Sequence, residues 1–325
     1  MRNIYVSGTI IRRAVVALFA LAAFSLPAPL AAAGPAGTDG PSVITLPGAT
    51  GAEGIAAGEG TTFFAGDRLN GDIYRGDVDK GTAKRFIEAP GGRAALGMKA
   101  DLDNGLLFVA GGATGQAYVY SLETRETVAV YQLAAAGTSF INDVTLTEDG
   151  AWFTNSQAGE LYFVPVDRHG DPGDARMLPL KGPAGELEQG FNLNGIAAVR
   201  DGDTLIVAHT VRGALYTVDP DTGSSAPITL TDHAGAALGV PNVDGIIVRG
   251  DTLWAVQNVS NQVSRIRLDR GLSAGEVQEV ITSPHFDVPT TAALFGGTLI
   301  LVNSKFTNPA ATTFEAVLVD ARPGH

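Results

Sequence analysis

Four oxygen-bearing side chains, Glu53, Asn142, Asn194 and Asp244, hold the same place in a recurring pattern, read as AEGIA, FINDV, NLNGIA and NVDGI. Brought face to face, two carboxylates and two amides would repel one another and lose hydration. A hard divalent cation answers both problems, and calcium takes ~6–8 oxygen ligands from carboxylates, Asn carbonyls and water. Magnesium is the alternative, with a stricter octahedral demand. Zinc and copper favour nitrogen and sulfur, whereas this chain has no Cys and no His at these positions. One Asn or Asp before a strand would read as a turn residue. Four at equivalent places read as a metal site.

The elements that must bring these residues together are repeats. Each unit opens with a short apolar strand, followed by a turn, two strands rich in β-formers and a more variable fourth strand. The opening residues are Glu53, Leu96, Asn142, Asn194, Asp244 and Thr290, spaced 43, 46, 52, 50 and 46 residues apart. A period of about 40–50 residues with about four strands per unit is the signature of a propeller blade. The expected fold is therefore all-β, a six-bladed β-propeller over residues 42–325. The last unit offers only three strands, and the isolated strand SVITLPG at Ser42–Gly48 is expected to pair with it and close the ring, which removes two exposed edges. In such a ring the first strands line a central channel, so residues that open them converge at one mouth. Gly54, Gly195 and Gly245 follow three of the candidate ligands and let the strands crowd the axis.

The turn between second and third strands opens at the same mouth. Asp67, Asn70, Asn155, Ser156, His209, Asn258, Asn261 and Asn303 are thereby candidates for a polar wall. Those expected in a substrate pocket are Asn155, His209, Asn258 and Asn303, together with Phe140. Asp143 is expected to hold a neighbouring backbone N–H rather than a metal.

Composition narrows the function classes. The chain carries 22 basic and 34 acidic residues, a net charge of −12. A net-acidic body lacks the clustered Lys and Arg that phosphate contacts need, so nucleic acid is not an expected partner. With no Cys, disulfides and thiolate catalysis are excluded. Arg2, Arg12 and Arg13 precede the apolar run AVVALFALAAF, which ends in small residues near Gly34. Residues 1–33 read as a signal peptide, 34–41 as a flexible segment, and the product as secreted or periplasmic, with no membrane attachment once the leader is removed. It is expected to act as a monomer.

With these residues assembled, the chain resembles the gluconolactonase, regucalcin and luciferin-regenerating-enzyme superfamily, and the related diisopropylfluorophosphatase and paraoxonase propellers. The resemblance spans the whole body and rests on the order Glu53, Asn142, Asn194, Asp244 on the first, third, fourth and fifth units. It implies a calcium-dependent hydrolase acting on a small-molecule ester, lactone or phosphotriester-like ligand. It also implies Asp244 as catalytic base or nucleophile, with metal held by Glu53, Asn142, Asn194 and Asp244. The sugar-lactonase branch has an Arg two residues before the equivalent of Asn142, where this chain has Phe140, which implies a more hydrophobic ligand. A non-catalytic propeller, braced by metal and binding a ligand or a protein, is the alternative.

Overall fold

The structure is a computed structural model that describes residues 42–322; the leader-like residues 1–33 and the segment 34–41 lie outside the described residues. Short strands dominate, because Val, Ile, Phe, Tyr and Thr recur between Gly-, Asp- and Asn-rich turns. Three antiparallel sheets of four strands follow one another. They comprise Ala52–Ala57, Thr62–Asp67, Ile73–Asp77 and Thr82–Ile87; then Met98–Asp101, Leu106–Ala110, Gln116–Ser121 and Thr127–Gln132; then Ile141–Thr147, Gly150–Asn155, Glu160–Pro165 and Arg176–Pro179.

A nine-stranded sheet comes next, built from two four-stranded runs. One runs from Leu193–Val199 through Thr204–His209 and Ala214–Val218 to Ser225–Thr231. The other runs from Val243–Arg249 through Thr252–Gln257 and Gln262–Leu268 to Ala274–Thr282. Their outermost strands join in parallel, Thr229 to Ala274 and Thr231 to Glu276. The last sheet takes three strands from the end of the described chain and its fourth, Val43–Leu46, from the beginning. Val43 lies opposite Val317 and Leu46 opposite Phe314, so the closing strand seals an edge that would otherwise expose N–H and C=O groups.

The innermost strands pack in succession: Ala52–Ala57 on Met98–Asp101, then Ile141–Thr147, Leu193–Val199, Val243–Arg249 and Pro289–Phe295, which returns to Ala52–Ala57. This is an all-β propeller. Its core is divided among the sheet interfaces rather than concentrated in one place. Strand alternation explains why: in Thr62–Asp67, Phe63 packs with Ile300 and Val302, while its neighbour Phe64 packs with Leu107 and Val109. The same alternation sends Phe153 to join Phe108 and Val119, and Trp152 to join Val207 and Val218.

Candidate metal centre and its pocket

Five of the six inner strands, all but Met98–Asp101, are interrupted near their start, and four of the interruptions hold the candidate ligands. Ala52 pairs with Asp67 and Ile55 with Ala65, leaving Glu53 and Gly54 opposite Gly66 alone. The same two-against-one break holds Asn142–Asp143, Asn194–Gly195, Asp244–Gly245 and Thr290–Thr291. Such bulges re-aim a side chain that regular pleating would direct elsewhere. The second bulge residue meets the next sheet closely. A Cβ on Gly54 would fall on the Leu96 carbonyl, and one on Gly245 on the Thr291 side chain.

In three of these cases the turn residue immediately after the second strand fixes the first bulge residue. Asn142 Nδ2 donates to Ser156 Oγ (2.8 Å), and Ser156 Oγ donates to the Leu193 carbonyl (2.5 Å). Asn194 Nδ2 donates to Thr210 Oγ1 (3.1 Å), and Thr210 Oγ1 to the Val243 carbonyl (2.7 Å). Asn258 Nδ2 donates to Asp244 Oδ2 (2.7 Å). Thr290 Oγ1 donates to the Glu53 carbonyl (2.6 Å), tying the last inner strand to the first. These bonds anchor the amide nitrogens of Asn142 and Asn194 and leave their amide oxygens to offer.

Glu53, Asn142, Asn194 and Asp244 all line one cavity of about 430 Å³. Arg68, Thr210, Asn242 and Asn258 complete its polar lining, and Leu96, Phe140, Phe191, Val259 and Phe306 form its apolar wall. Phe140 and Phe191 meet edge to face, 5.0 Å between centroids. All four candidate ligands are buried.

Burial dominates the electrostatics. It pushes the Glu53 carboxyl well above the usual carboxylate range; Asp244 and Asp143 push the same way, and Arg68 opposes them. Asp244 is pushed up to about 7, again mainly by burial; the Asn258 and Asn194 side chains pull it down and Asp143 pushes it up. Asp143 is itself raised by burial against the opposing pull of Lys99 and of the Val144 and Ile196 backbone N–H groups. Its Oδ1 accepts from Val144 N at 2.8 Å.

The donor set fits a hard cation. Glu53 Oε2 is buried with no hydrogen-bond partner, and the same cavity is lined by a second carboxylate and two amides whose nitrogens each donate to a hydroxyl. Oxygens alone, of which two belong to carboxylates, suit calcium or magnesium and not a nitrogen- or sulfur-seeking metal. Among the described residues no group of three or more His, Cys, Asp and Glu gathers around a point, so the amides are indispensable to any such site.

Three expected pocket residues lie elsewhere. Asn155, His209 and Asn303 are the last residues of their second strands and do not line the cavity. Asn155 Oδ1 accepts from Phe140 N (3.0 Å) and Gln157 N (3.1 Å). Asn303 accepts from Asp287 N (3.0 Å) and donates to the His285 carbonyl (2.8 Å). His209 lies edge-on to Tyr216, 6.1 Å between centroids, and burial lowers its pKa. Strand alternation is the reason: the cavity-facing position is one residue later, at Arg68, Thr210 and Asn258. That offset, applied to every turn, would have found Arg68 and Thr210, which sequence reasoning missed. Phe191, Asn242, Val259 and Phe306 carry no repeat signal of their own.

Residues 52–300 match the family model described as the SMP-30/gluconolactonase/LRE-like region. No curated protein matches the chain in a sequence search. Among solved structures, the major Malassezia sympodialis allergen Mala s 1 aligns with TM-score 0.64 at 12% identity, covering 88% of this chain and 98% of that one. The PQQ-bound aldose sugar dehydrogenase of Streptomyces coelicolor aligns with TM-score 0.58 at 14% identity, covering 86% and 97%. A protein from Lactobacillus plantarum aligns with TM-score 0.56 at 16% identity, covering 83% and 80%. At such identities the likeness is one of fold.

Proposed function

This chain belongs to the SMP-30/gluconolactonase/LRE-like family, and from that premise we propose that it is a calcium-dependent hydrolase of the lactonase or esterase type. Calcium would be held by Glu53, Asn142, Asn194 and Asp244, with magnesium as the second candidate. The observation that carries this reading is the buried, unpartnered Glu53 Oε2 in the same cavity as Asp244 and two amides whose nitrogens are anchored by hydroxyls. When bound there, the ion would polarise a carbonyl or phosphoryl oxygen and keep the two carboxylates ionised.

The chain's own residues supply the rest. Asp244 has one oxygen fixed by Asn258 and the other free to take a proton from water, or to attack the substrate directly. Asn142 and Asn194 are oriented by Ser156 and Thr210 and cannot swing away without breaking those bonds. Phe140, Phe191 and Leu96 give the cavity an apolar wall, which lowers the local dielectric and strengthens charge interactions beside it.

The six-bladed count follows if the two halves of the nine-stranded sheet are separate blades that touch at their outer strands. The separate apolar cluster between those halves supports this. The leader-like residues 1–33 support export to the periplasm or the medium.

Calorimetric titration of chelator-treated protein with calcium tests the centre, beside Asp244→Ala. One equivalent bound, weakened by the substitution, together with turnover of lactones, aryl esters or phosphotriesters, is the expected result. A folded protein that binds neither calcium nor magnesium would end the reading.

A further inference from the structure

Arg68 follows the second strand of the first sheet and is the one basic side chain in the cavity lining. Among the described residues it has no carboxylate within ion-pair distance. Its Nε is buried and has no hydrogen-bond partner. Glu53 Oε2 lines the same cavity and is likewise unpartnered. A cation and an anion thus share one small space without bonding to each other. Arg68 is half-buried, and its guanidinium, charged at any pH at which a protein folds, carries a buried N–H that no acceptor satisfies. If the carboxylates take a cation, Arg68 is left needing an anion of its own.

What else the anion must carry is set by the wall. Leu96 is buried and Phe140 half-buried, while Phe191, Val259 and Phe306 stand 43%, 45% and 44% exposed at the lining. Exposed aromatic and aliphatic side chains around a cavity are where a ligand's apolar body gains from leaving water. A sugar, which would want many polar partners, is poorly served by such a wall.

We propose that the cavity takes a small carboxylate-bearing ester or lactone, whose apolar body lies among Phe140, Phe191, Val259 and Phe306 and whose carboxylate pairs with Arg68. The ester part of this statement rests on the hydrolase reading; the pairing of a carboxylate with Arg68 does not. Arg68 is then a specificity-determining residue: it selects charge at one end of the substrate while the reacting bond sits at the other. A planar guanidinium suits a carboxylate because it can donate two parallel hydrogen bonds.

The test uses matched probes that differ by one charge. Binding of 4-phenylbutanoate and of 4-phenylbutanamide to the calcium-loaded protein is measured by calorimetry, in the wild type, Arg68→Gln and Arg68→Lys. The wild type is expected to prefer the anion by roughly tenfold to a hundredfold, the range for a charge-assisted pair. Arg68→Gln is expected to bring that ratio to about one, and Arg68→Lys to keep part of it. A wild-type ratio near one overturns the proposal. So does a ratio that survives in Arg68→Gln, which would place the carboxylate on the calcium. Should Arg68→Gln fail to fold, the wild-type preference must still shrink as potassium chloride is raised and be smaller in Arg68→Lys; a salt-independent preference counts against the proposal.

Hydrolysis of monophenyl succinate and phenyl butyrate separates the two readings. If neither ester is cleaved but the binding ratio behaves as expected, the hydrolase reading fails and the Arg68 pairing stands. If both are cleaved and Arg68→Gln slows them equally, the hydrolase reading stands and the pairing falls.

Discussion

Asn258 Nδ2 sits 2.7 Å from Asp244 Oδ2, both residues buried, joining the end of one strand pair to the bulge that opens it. The bond spends one carboxylate oxygen and orients the other. It also favours the ionised form, pulling against the burial that pushes Asp244 up to about 7. Replacing Asn258 by Ala should therefore raise the Asp244 pKa of the metal-free protein above that value. Carboxyl-carbon NMR of the two proteins reads this directly, and an unchanged or lower midpoint would show that the bond does not govern Asp244.

Stability without metal should depend on pH in an unusual direction. Asp244 titrates near 3.8 when unfolded and is raised to about 7 in the fold, and Glu53 is raised as well. The folded state therefore binds more protons than the unfolded state between those limits. Stability is highest below the unfolded value and is lost as pH climbs through the folded one. The melting temperature of chelator-treated protein should fall from pH 5 to pH 8, and saturating calcium should abolish the fall. A rising or flat profile without metal would contradict the buried-carboxylate account.

The closing strand bears on the whole ring. Ile44 and Leu46 are almost fully buried against the last sheet and the first, and burying such a side chain contributes about 1.5–3 kcal/mol. Deleting Ser42–Leu46 removes both and bares the Phe314–Asp320 edge. Chemical denaturation of the mature body should show a loss of several kcal/mol; an unchanged midpoint would mean that the ring does not depend on this strand.

The glycines of the bulges should not tolerate a methyl group. Gly54→Ala would drive a Cβ onto the backbone carbonyl of Leu96, which cannot yield as a flexible side chain can. We expect a cost of about 1–3 kcal/mol, the usual range for overpacking, with weaker calcium binding because Glu53 is the adjacent residue. Gly91→Ala is the control, since an added Cβ there meets nothing within 4 Å. Equal behaviour of the two variants in thermal melts and calcium titration would rule out close approach at the bulge.

Asn155 separates framework from site. Its side chain holds the turn through Phe140 N and Gln157 N and does not line the cavity. Asn155→Ala should lower the melting temperature, by removing the acceptor that holds the Phe140 and Gln157 N–H groups, while calcium still binds with one-to-one stoichiometry. Loss of stoichiometric binding in a protein that remains folded would return Asn155 to the site.

The repeat was legible in the sequence because a strand, a turn and a facing strand each impose a local pattern, and the same pattern returned along the chain. The spacing of Glu53, Asn142, Asn194 and Asp244 therefore indicates convergence. Gly54 and Gly245 were legible for the same reason, since close approach admits no side chain. The turn residues were harder. Asn155, His209 and Asn303 are the polar residues that end strands, and polarity alone draws attention to them. Arg68 and Thr210, one position later, are the ones the cavity meets. Which of two neighbours faces inward depends on bulge and register, and those are set by pairing with a strand some distance away. Phe191, Val259 and Phe306 were not legible at all, because they reach the cavity through loops with no repeat to mark them. The β repeat and its candidate ligands rest on local geometry and are therefore written into the order of residues. That an unpaired Arg68 shares their cavity emerges only with ring closure, which brings side chains from different sheets into one space.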